Sequence, residues 1–295
     1  MKLFVTGAAG FIGSHLVPVL MAKGHDVLGI DIAERWPAML RYDIRHESHL
    51  LSMNLVEGCR NLEGIIHLAA IASPRLAQED PDVSWSTNVQ GTYNVLQLAK
   101  ALGVPQFIFL SSAHVYGISP KYFPTDERHP LALQDTYTST KIAGEQLCRL
   151  FYDNCGISYV TLRLFNAYGV GQSKDYFLGV KLKQARERRL TLRKDLQDVT
   201  KDWVNVRDVV DAIVRSLDTS YVGPINIGTG VETSIGTITK FIAEMTNSDI
   251  IYEDGMDPGP TRMRADWRRA RDVLGWKPTI DFSDGLLDLV RKETA

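Results

Sequence analysis

A tyrosine and a lysine stand four residues apart at Tyr137 and Lys141, and a serine pair, Ser111 and Ser112, precedes them. In a helix, residues at i and i+4 project from the same face, so the phenol and the ammonium would share one site. Lowering the pKa of a tyrosine from about 10 to about 7 requires roughly 4 kcal/mol of phenolate stabilisation. The Lys141 ammonium and a positively charged nicotinamide ring would supply it. Ser112 would orient a substrate hydroxyl whose proton Tyr137 removes, while hydride leaves the same carbon for the nicotinamide.

Three glycines, Gly7, Gly10 and Gly13, follow a short apolar run and open an apolar helical segment, with Phe11 and Ile12 between them. This strand–turn–helix context is typical of a dinucleotide-binding turn, because glycines permit a tight turn and let backbone N–H groups approach a pyrophosphate. The N-terminus of the helix favours the same anion. The sequence therefore predicts a dinucleotide cofactor here.

Asp31 ends the second apolar run, beyond the glycines. A carboxylate at that position accepts hydrogen bonds from both ribose hydroxyls of an adenosine and repels a 2′-phosphate. We therefore predict NAD, while Arg35 nearby leaves NADP open as an alternative. Asp43 either meets the adenine edge or is a plain surface carboxylate.

Short, nearly all-apolar runs alternate with longer amphipathic segments, and this alternation is typical of a parallel sheet with crossover helices. The predicted strands are 2–6, 26–31, 64–68, 106–111 and 158–164, and the predicted helices are 11–23, 83–102 and 136–154. After about residue 165 the pattern loosens into a basic helical stretch at Val180–Arg189, the segment 203–216, a strand at 224–228 and a final acidic-basic helical region.

We predict an α/β fold with a Rossmann-like, doubly wound parallel sheet and a smaller C-terminal substrate-binding portion. In this division, residues 1–165 form the NAD-binding domain and 203–228 return to it. Residues 166–202 and 229–295 form the substrate-binding portion.

Composition favours soluble small-molecule chemistry. With 44% hydrophobic residues, 23% charged residues and a net charge of -2, the chain has no field that would hold nucleic acid or an anionic membrane. Its 3 cysteines form no CxxC pair, which fits a reducing cytoplasm. We expect no signal peptide, no membrane span and no metal site, since His46 and His49 have no matching carboxylate cluster.

Further motifs follow in order along the chain. They are HLAA at 67–70, NVQGT at 88–92, SSAHVYG at 111–117, YTSTK at 137–141, LRLFNAYG at 162–169 and NIGTG at 226–230. Together with the glycines and Asp31, this series resembles the extended short-chain dehydrogenases/reductases of the sugar-nucleotide epimerase and dehydratase kind. The resemblance runs from residue 2 to about residue 285.

The resemblance implies a bound NAD, a nucleotide-sugar substrate, catalysis by Ser112, Tyr137 and Lys141, and a homodimer built on helices 83–102 and 136–154. The cofactor residues that we predict are Gly7, Gly10, Phe11, Ile12, Gly13, Asp31, Asp43, Ile44, Leu68, Ala69, Ala70, Asn88, Ser111, Tyr137 and Lys141. The substrate residues that we predict are Ser112, Ala113, His114, Tyr137, Asn166, Lys201 and Arg262. Asn166 would reach toward the substrate phosphates.

The residues after the catalytic serine help to sort the reaction. The 4,6-dehydratases that this chain resembles place an acidic residue there, because eliminating water needs another acid and base, whereas this chain has Ala113 and His114. The pattern resembles that of the 4-epimerases, with His114 either assisting proton transfer or, preferably, packing. A sugar dehydrogenase or 4-ketoreductase would use the same triad. A dehydratase is less favoured, and so is a non-catalytic NAD-binding protein, because the Tyr–Lys pair is intact.

Two positions depart from the UDP-sugar epimerase pattern. Lys201 stands where those enzymes carry an arginine, and Asp257 precedes Pro-Gly where they carry another. Lysine still serves a phosphate as a point charge, although it lacks the bidentate fork of arginine. Arg262 or Arg264 would replace the second arginine, unless both belong to a solvated helix face.

Overall fold

The computed structural model describes residues 1–33, 39–46, 50, 59–117, 119–255 and 262–294. Among the sequence predictions, Arg35, His49 and the turn that contains Asp257 lie outside these residues. None of the described helices combines the length and the apolar character that a membrane span needs.

The elements alternate along the chain as the sequence predicts for its first half. The strands are β1 (Lys2–Thr6), β2 (Asp26–Asp31), β3 (Leu40–Arg41), β4 (Gly64–His67), β5 (Gln106–Ser112), β6 (Ser158–Leu164), β7 (Asn166–Tyr168), β8 (Arg189–Arg193), β9 (Thr200–Asn205), β10 (Gly223–Ile227), β11 (Glu232–Ser234) and β12 (Asp249–Glu253).

The described α-helices are α1 (Phe11–Ala22), α2 (Pro74–Glu79), α3 (Pro81–Trp85), α4 (Gly91–Leu102), α5 (Thr136–Cys155), α6 (Phe177–Arg186), α7 (Val206–Arg215), α8 (Ile235–Thr246), α9 (Arg268–Leu274) and α10 (Phe282–Thr294). A π-helical turn, Ser86–Gln90, joins α3 to α4, and 3₁₀ turns follow β5 and β8 at Ala113–Tyr116 and Lys194–Leu196.

Seven strands form one parallel sheet in the order β10-β6-β5-β4-β1-β2-β3. The order reverses between β1 and β4, which is the switch point of a doubly wound sheet. The predicted Rossmann-like fold is therefore confirmed. Ligands bind such sheets at the carboxyl ends of the strands next to the switch point, so the site is expected beyond Thr6 and His67.

Alternating side chains of the buried strands supply the two faces of this sheet, as two-sided burial requires. Leu3 and Val5 pack on one face in a cluster with α1, α7 and α9, whereas Phe4 packs on the other in a cluster with α4 and α5. Because α5 lies on the same face as α4, the Tyr–Lys helix is held directly against the strands that end at the predicted site.

The loosely patterned second half adds two small sheets, β11-β9-β7 and β12-β8. They pack with α6, α8 and α10 around a separate apolar cluster. The basic helix begins at Phe177, three residues before its predicted start, and Arg189 begins a strand that pairs with β12. The segment 203–216 divides into the end of β9 and α7. Trp203 belongs to the strand, because it pairs with Asn166 of β7. The Asn205 side chain caps the N-terminus of the helix that follows.

His67 is a buried histidine at the switch point. Its Nδ1 lies 2.7 Å from the Thr6 hydroxyl and its Nε2 lies 3.0 Å from the Thr92 hydroxyl. Burial, with a smaller effect from the Lys141 ammonium, lowers the pKa of His67 to about 3. The ring is therefore neutral in the folded protein at any pH near 7, and it links β1, β4 and α4 through hydroxyl partners.

This histidine makes stability depend on pH. In the unfolded chain the pKa of His67 is about 6.5. Between about pH 6.5 and about pH 3 the unfolded state therefore binds a proton at this histidine and the folded state does not. The free energy of unfolding consequently decreases as pH falls through this range. Between pH 7 and pH 5, we expect the unfolding free energy of the wild type to fall by about 2 kcal/mol more than that of His67→Gln. Urea unfolding of both proteins at the two pH values measures the difference, and equal losses would contradict the assignment.

Candidate active site

The glycine turn lies at the switch point of the sheet, between β1 and the segment that follows β4. Gly7 adopts a φ of +69°, and a Cβ on it would lie 2.6 Å from the backbone nitrogen of Ala69. A Cβ on Gly13 would lie 2.3 Å from the Gly7 carbonyl oxygen. The turn therefore excludes side chains. Gly10 caps α1 without a side chain, so the N-terminus of that helix, which begins with Phe11 and Ile12, faces the turn with its backbone N–H groups.

Asp31 lies at the rim of this turn. Its carboxylate accepts hydrogen bonds from the backbone N–H groups of Ala9, at 3.0 Å, and Ala33, at 3.2 Å. These bonds fix the carboxylate beside the glycine turn, where the sequence prediction requires it. Each carboxylate oxygen keeps a further lone pair, which leaves acceptors for ribose hydroxyls.

The two predicted adenine-side residues have different surroundings. The Asp43 carboxylate receives hydrogen bonds from the Arg45 guanidinium at 2.5–3.0 Å, and this arginine holds the pKa of Asp43 below its usual range. Ile44 is buried, with its side chain 2.6 Å from where a Cβ on Gly91 would lie, and its carbonyl accepts a bond from Asn94 at 2.9 Å. Asp43 is therefore already paired, whereas Ile44 is part of the packing beneath the cleft.

The second wall of the cleft is the segment that follows β4, which includes Leu68, Ala69 and Ala70. Asn88 holds this wall in place, because its side chain accepts from the Ile71 N–H at 2.8 Å and donates to the Ile71 carbonyl at 3.0 Å. It also donates to the Thr140 hydroxyl at 2.9 Å, which ties the wall to α5.

One stripe of α5 lies along the end of β5. Tyr137, Lys141 and Glu145 follow one another at intervals of four residues, and each contacts a different residue of the strand. The Ser112 hydroxyl neighbours the Tyr137 phenol and lowers its pKa, the Lys141 ammonium donates to the Leu110 carbonyl at 2.9 Å, and the Ser111 hydroxyl donates to Glu145 at 2.6 Å. The structure therefore brings the predicted triad together, and the Ser111 side chain is directed at Glu145.

Burial controls the protonation of the two central groups. Tyr137 is 5% exposed and Lys141 is 4% exposed. Burial raises the pKa of the Tyr137 phenol, and the neighbouring Ser112 hydroxyl opposes this shift. Burial lowers the pKa of Lys141 to about 8, and the Glu145 carboxylate opposes this shift. The lysine is therefore still predominantly protonated at neutral pH, next to a tyrosine that needs cations in order to ionise.

Glu145 was not among the predicted site residues. It forms a buried ion pair with Arg163 of β6, with atoms 2.6 Å and 3.0 Å apart, so the helix is bound to two strands at once. The signal was present in the sequence, because Glu145 continues the Tyr137–Lys141 spacing by one more turn.

The predicted substrate residues Ala113 and His114 lie in the 3₁₀ turn after β5. Ala113 is fully buried, and the His114 ring packs edge-on to the Tyr137 ring with 5.9 Å between centroids. Burial, together with the Lys201 ammonium, lowers the pKa of His114 to about 4. The imidazole is therefore neutral near pH 7. The Lys201 ammonium of β9 thus acts electrostatically on His114, the residue that packs against Tyr137.

Lys201 is a largely buried cation for which no hydrogen bond or ion pair is found among the described residues. Burial lowers its pKa to about 8. Asn166 lies on the neighbouring strand β7 and donates to the Asp202 carbonyl at 3.1 Å. Both predicted substrate residues thus lie in the small sheet that faces the end of β5, and Lys201 is suited to receive an anion.

Arg262 lies beside Lys201, since it forms a bridge with Thr200 of β9. Its guanidinium pairs with Glu232 at 2.5 Å and stacks over the Phe123 ring at 4.8 Å. Arg264 is half-buried, and its Nε has no hydrogen-bond partner among the described residues. Neither arginine belongs to α9, so the interpretation of these two residues as a helix face is wrong. Arg262 is already paired, whereas Arg264 keeps an unused donor.

A model of the NAD dependent epimerase/dehydratase family matches residues 3–228 of the chain. The UDP-glucose 4-epimerase of Mycolicibacterium smegmatis is 32% identical over 313 residues, which cover 98% of this chain and 97% of that protein. UDP-glucuronic acid decarboxylase 2 of Arabidopsis thaliana is 29% identical over 307 residues, which cover 99% of this chain and 68% of that protein. Relatives with different reactions are thus similar to this chain to nearly the same extent.

Among solved structures, the UDP-glucose 4-epimerase of Thermotoga maritima with UDP-glucose matches with a TM-score of 0.91 and 27% sequence identity, over 99% of this chain and 98% of that chain. The match includes the seven-stranded sheet and the small sheets that follow it. The glycine turn, the Tyr–Lys helix and these similarities agree on one family. The chain belongs to the NAD-dependent epimerase/dehydratase family and is an NAD-dependent enzyme of the extended short-chain dehydrogenase/reductase type.

Proposed function

We propose that this enzyme is a nucleotide-sugar 4-epimerase, which oxidises the C4 hydroxyl of a sugar to a ketone and reduces the ketone again on its other face. The observation that carries the proposal is the buried Ser112, Tyr137 and Lys141 group, followed by Ala113 and a neutral His114 rather than by a carboxylic acid. Epimerisation needs one proton acceptor and one hydride acceptor, whereas dehydration needs a further acid and base. The similarity to two UDP-glucose 4-epimerases supports the same reaction.

The cleft fits NAD. The glycine turn has no room for side chains, so its backbone N–H groups are open to a diphosphate. Asp31 offers carboxylate oxygens to the hydroxyls of an unphosphorylated ribose. When bound, NAD would supply a reversible hydride acceptor for the substrate carbon. Gly7, Gly10 and Gly13 would hold the diphosphate, and the segment that begins at Leu68 would form the opposite wall.

In the proposed mechanism, the triad handles the proton. Ser112 donates a hydrogen bond to the substrate hydroxyl oxygen and orients it toward Tyr137. The Tyr137 phenolate takes the hydroxyl proton, and it returns the proton to the same oxygen after the sugar ketone has turned in the pocket. Lys141 keeps its proton throughout, and its positive charge favours the phenolate form of Tyr137.

Lys201 is proposed to bind the diphosphate of the nucleotide sugar. A largely buried ammonium with no partner among the described residues gains an anionic partner when a phosphate enters. Arg264 keeps an unused Nε donor in the same region, and Asn166 pairs with Trp203, two residues along β9 from Lys201. The Arg262 guanidinium would have to leave Glu232 before it could take part.

The division of labour along the chain follows from this placement. We propose that residues 1–165, with 203–228, bind the cofactor, and that 166–202 and 229–295 bind the substrate.

We also propose a homodimer built on the predicted helices 83–102 and 136–154, because Trp85, Leu150 and Tyr152 on these segments are large apolar residues that are 38–51% exposed. A cytoplasmic location stays a prediction.

Turnover in D₂O tests the proposed reaction. A screen of UDP-, GDP- and dTDP-sugars should give a C4 epimer in which no C–H position carries deuterium, because the hydride removed from C4 returns to it. A decarboxylase would release CO₂ and place one solvent deuterium at C5, and a dehydratase would also exchange at carbon. A dehydrogenase or ketoreductase would need stoichiometric nicotinamide cofactor. NMR of the product separates these outcomes, and deuterium on carbon would contradict the proposal.

Replacing the proposed base should stop turnover without emptying the cofactor site. Tyr137→Phe keeps the ring and its packing but removes the phenol oxygen, so we expect kcat to fall by about 10²-fold or more. The amount of NAD that copurifies, measured after denaturation, should stay at the wild-type level. Turnover at the wild-type rate in this variant would contradict the role of Tyr137.

Removing the proposed phosphate ligand should affect substrate binding. For Lys201→Ala we expect KM for the nucleotide sugar to rise by about 10-fold to 100-fold with little change in kcat, as loss of a charged hydrogen bond implies. Because the pKa of Lys201 is lowered to about 8, the ammonium is lost as pH rises through 8. The wild-type KM should therefore rise above pH 8, whereas that of the variant should not. An unchanged KM in Lys201→Ala would exclude this role.

A further inference from the structure

The segment between β7 and α6, residues 169–176, crosses the predicted cofactor cleft; we call it the strap. At its first end, the His15 ring donates from Nε2 to the Val170 carbonyl at 2.8 Å. A Cβ on Gly169 would lie 3.7 Å from the Phe11 ring. Phe11 and His15 belong to α1, which begins at the glycine turn, so this end of the strap is attached to one wall of the cleft.

The second end of the strap is attached to the opposite wall. The Tyr176 hydroxyl donates to the Ala72 carbonyl at 2.9 Å, and Arg75 lies 3.8 Å from the Asp175 carboxylate. Ala72 comes one residue after Ile71, which Asn88 holds against α5. The strap therefore spans the cleft from the glycine-turn side to the side that begins at Leu68.

The two contacts at this second end differ in strength. The side chains of Arg75 and Asp175 are 56% and 65% exposed, so water and salt screen their attraction and the pair holds the strap only weakly. The Tyr176 side chain is half-buried, and its hydroxyl satisfies a backbone carbonyl. Among the described contacts, the Tyr176 hydrogen bond is thus the one that fixes this end, and a single bond of this kind can open for exchange.

Tyr176 also acts electrostatically on the active site. Its phenol contributes to the raised pKa of Tyr137, although less than burial does. Tyr176 is the N-cap residue of α6 and is followed by Phe177, which packs against Trp203 of β9. Through Phe177, Tyr176 therefore adjoins the small sheet on the substrate side, while its hydroxyl reaches Ala72 on the cofactor side.

We infer that Tyr176 is a positioning residue that holds the strap closed over the cofactor cleft and thereby slows the release of bound NAD. The inference rests on the proposed function, because an epimerase has to keep one NAD through both the oxidation and the return of the hydride. Closure by a single neutral hydrogen bond would also allow the slow cofactor exchange that loading requires.

The release rate of the cofactor tests this role without measuring turnover. The protein is loaded with NADH and then mixed with an excess of NAD. The decay of the fluorescence of bound NADH gives the release rate. For Tyr176→Phe, which keeps the ring and loses the hydroxyl, we expect release to be about fivefold to tenfold faster, as loss of one neutral hydrogen bond implies. Tyr252→Phe, at another partly exposed tyrosine on β12, is the matched control and should release at the wild-type rate.

A second variant guards against a general loss of structure. His15→Ala opens the first end of the strap and leaves Tyr176 in place, so it should also speed release, and the thermal unfolding temperatures of both variants show whether the fold is kept. Wild-type release rates in both variants would overturn the inference while leaving the proposed reaction intact. If instead the wild type fails to retain NAD on gel filtration, the epimerase proposal fails, whatever the strap variants do.

Discussion

Burial of Tyr137 and Lys141 is the constraint on which the active site depends. Removal from water disfavours both charged forms, which raises the pKa of the phenol and lowers that of the ammonium to about 8. The phenolate is not stable there alone, whereas the Lys141 ammonium persists at neutral pH and would stabilise a phenolate strongly where water is excluded. In the mechanism proposed above, such a base would ionise only when positive charge lies beside it, and this would tie proton removal to the oxidised cofactor.

Such a pair works only if the helix keeps its register on the strand. Three successive residues of β5 contact three successive turns of α5, and the Glu145–Arg163 ion pair extends the attachment to β6. A buried ion pair is weak evidence for stability, because desolvation offsets most of its attraction. Its contribution here is geometric, since it leaves a single position along the strand in which Tyr137 faces Ser112.

Much of this could be predicted from the sequence. Buried parallel strands are short apolar runs, and the glycine turn and the Tyr137–Lys141 spacing are local patterns, so the sheet and the triad could be found without coordinates. The strands β8 and β12 could not, because they pair across 60 residues of chain and carry charged residues along their exposed sides. The Arg262–Glu232 pair and the Tyr176–Ala72 bond could not be predicted for the same reason, because contacts between residues distant in the chain produce no periodic pattern in the sequence. Glu145 was available to the same periodic argument that found Lys141.

The central claim is that Tyr137 ionises near neutral pH when the oxidised cofactor is bound, and it can be tested by titrating the phenolate directly. Ultraviolet difference absorbance of the NAD-loaded wild type, compared with that of loaded Tyr137→Phe, isolates the signal of this one tyrosine. The account predicts a phenolate that appears at a pH well below the usual value of about 10 and moves to higher pH in Lys141→Met. A phenol that stays protonated up to that usual value in the loaded enzyme would contradict the account.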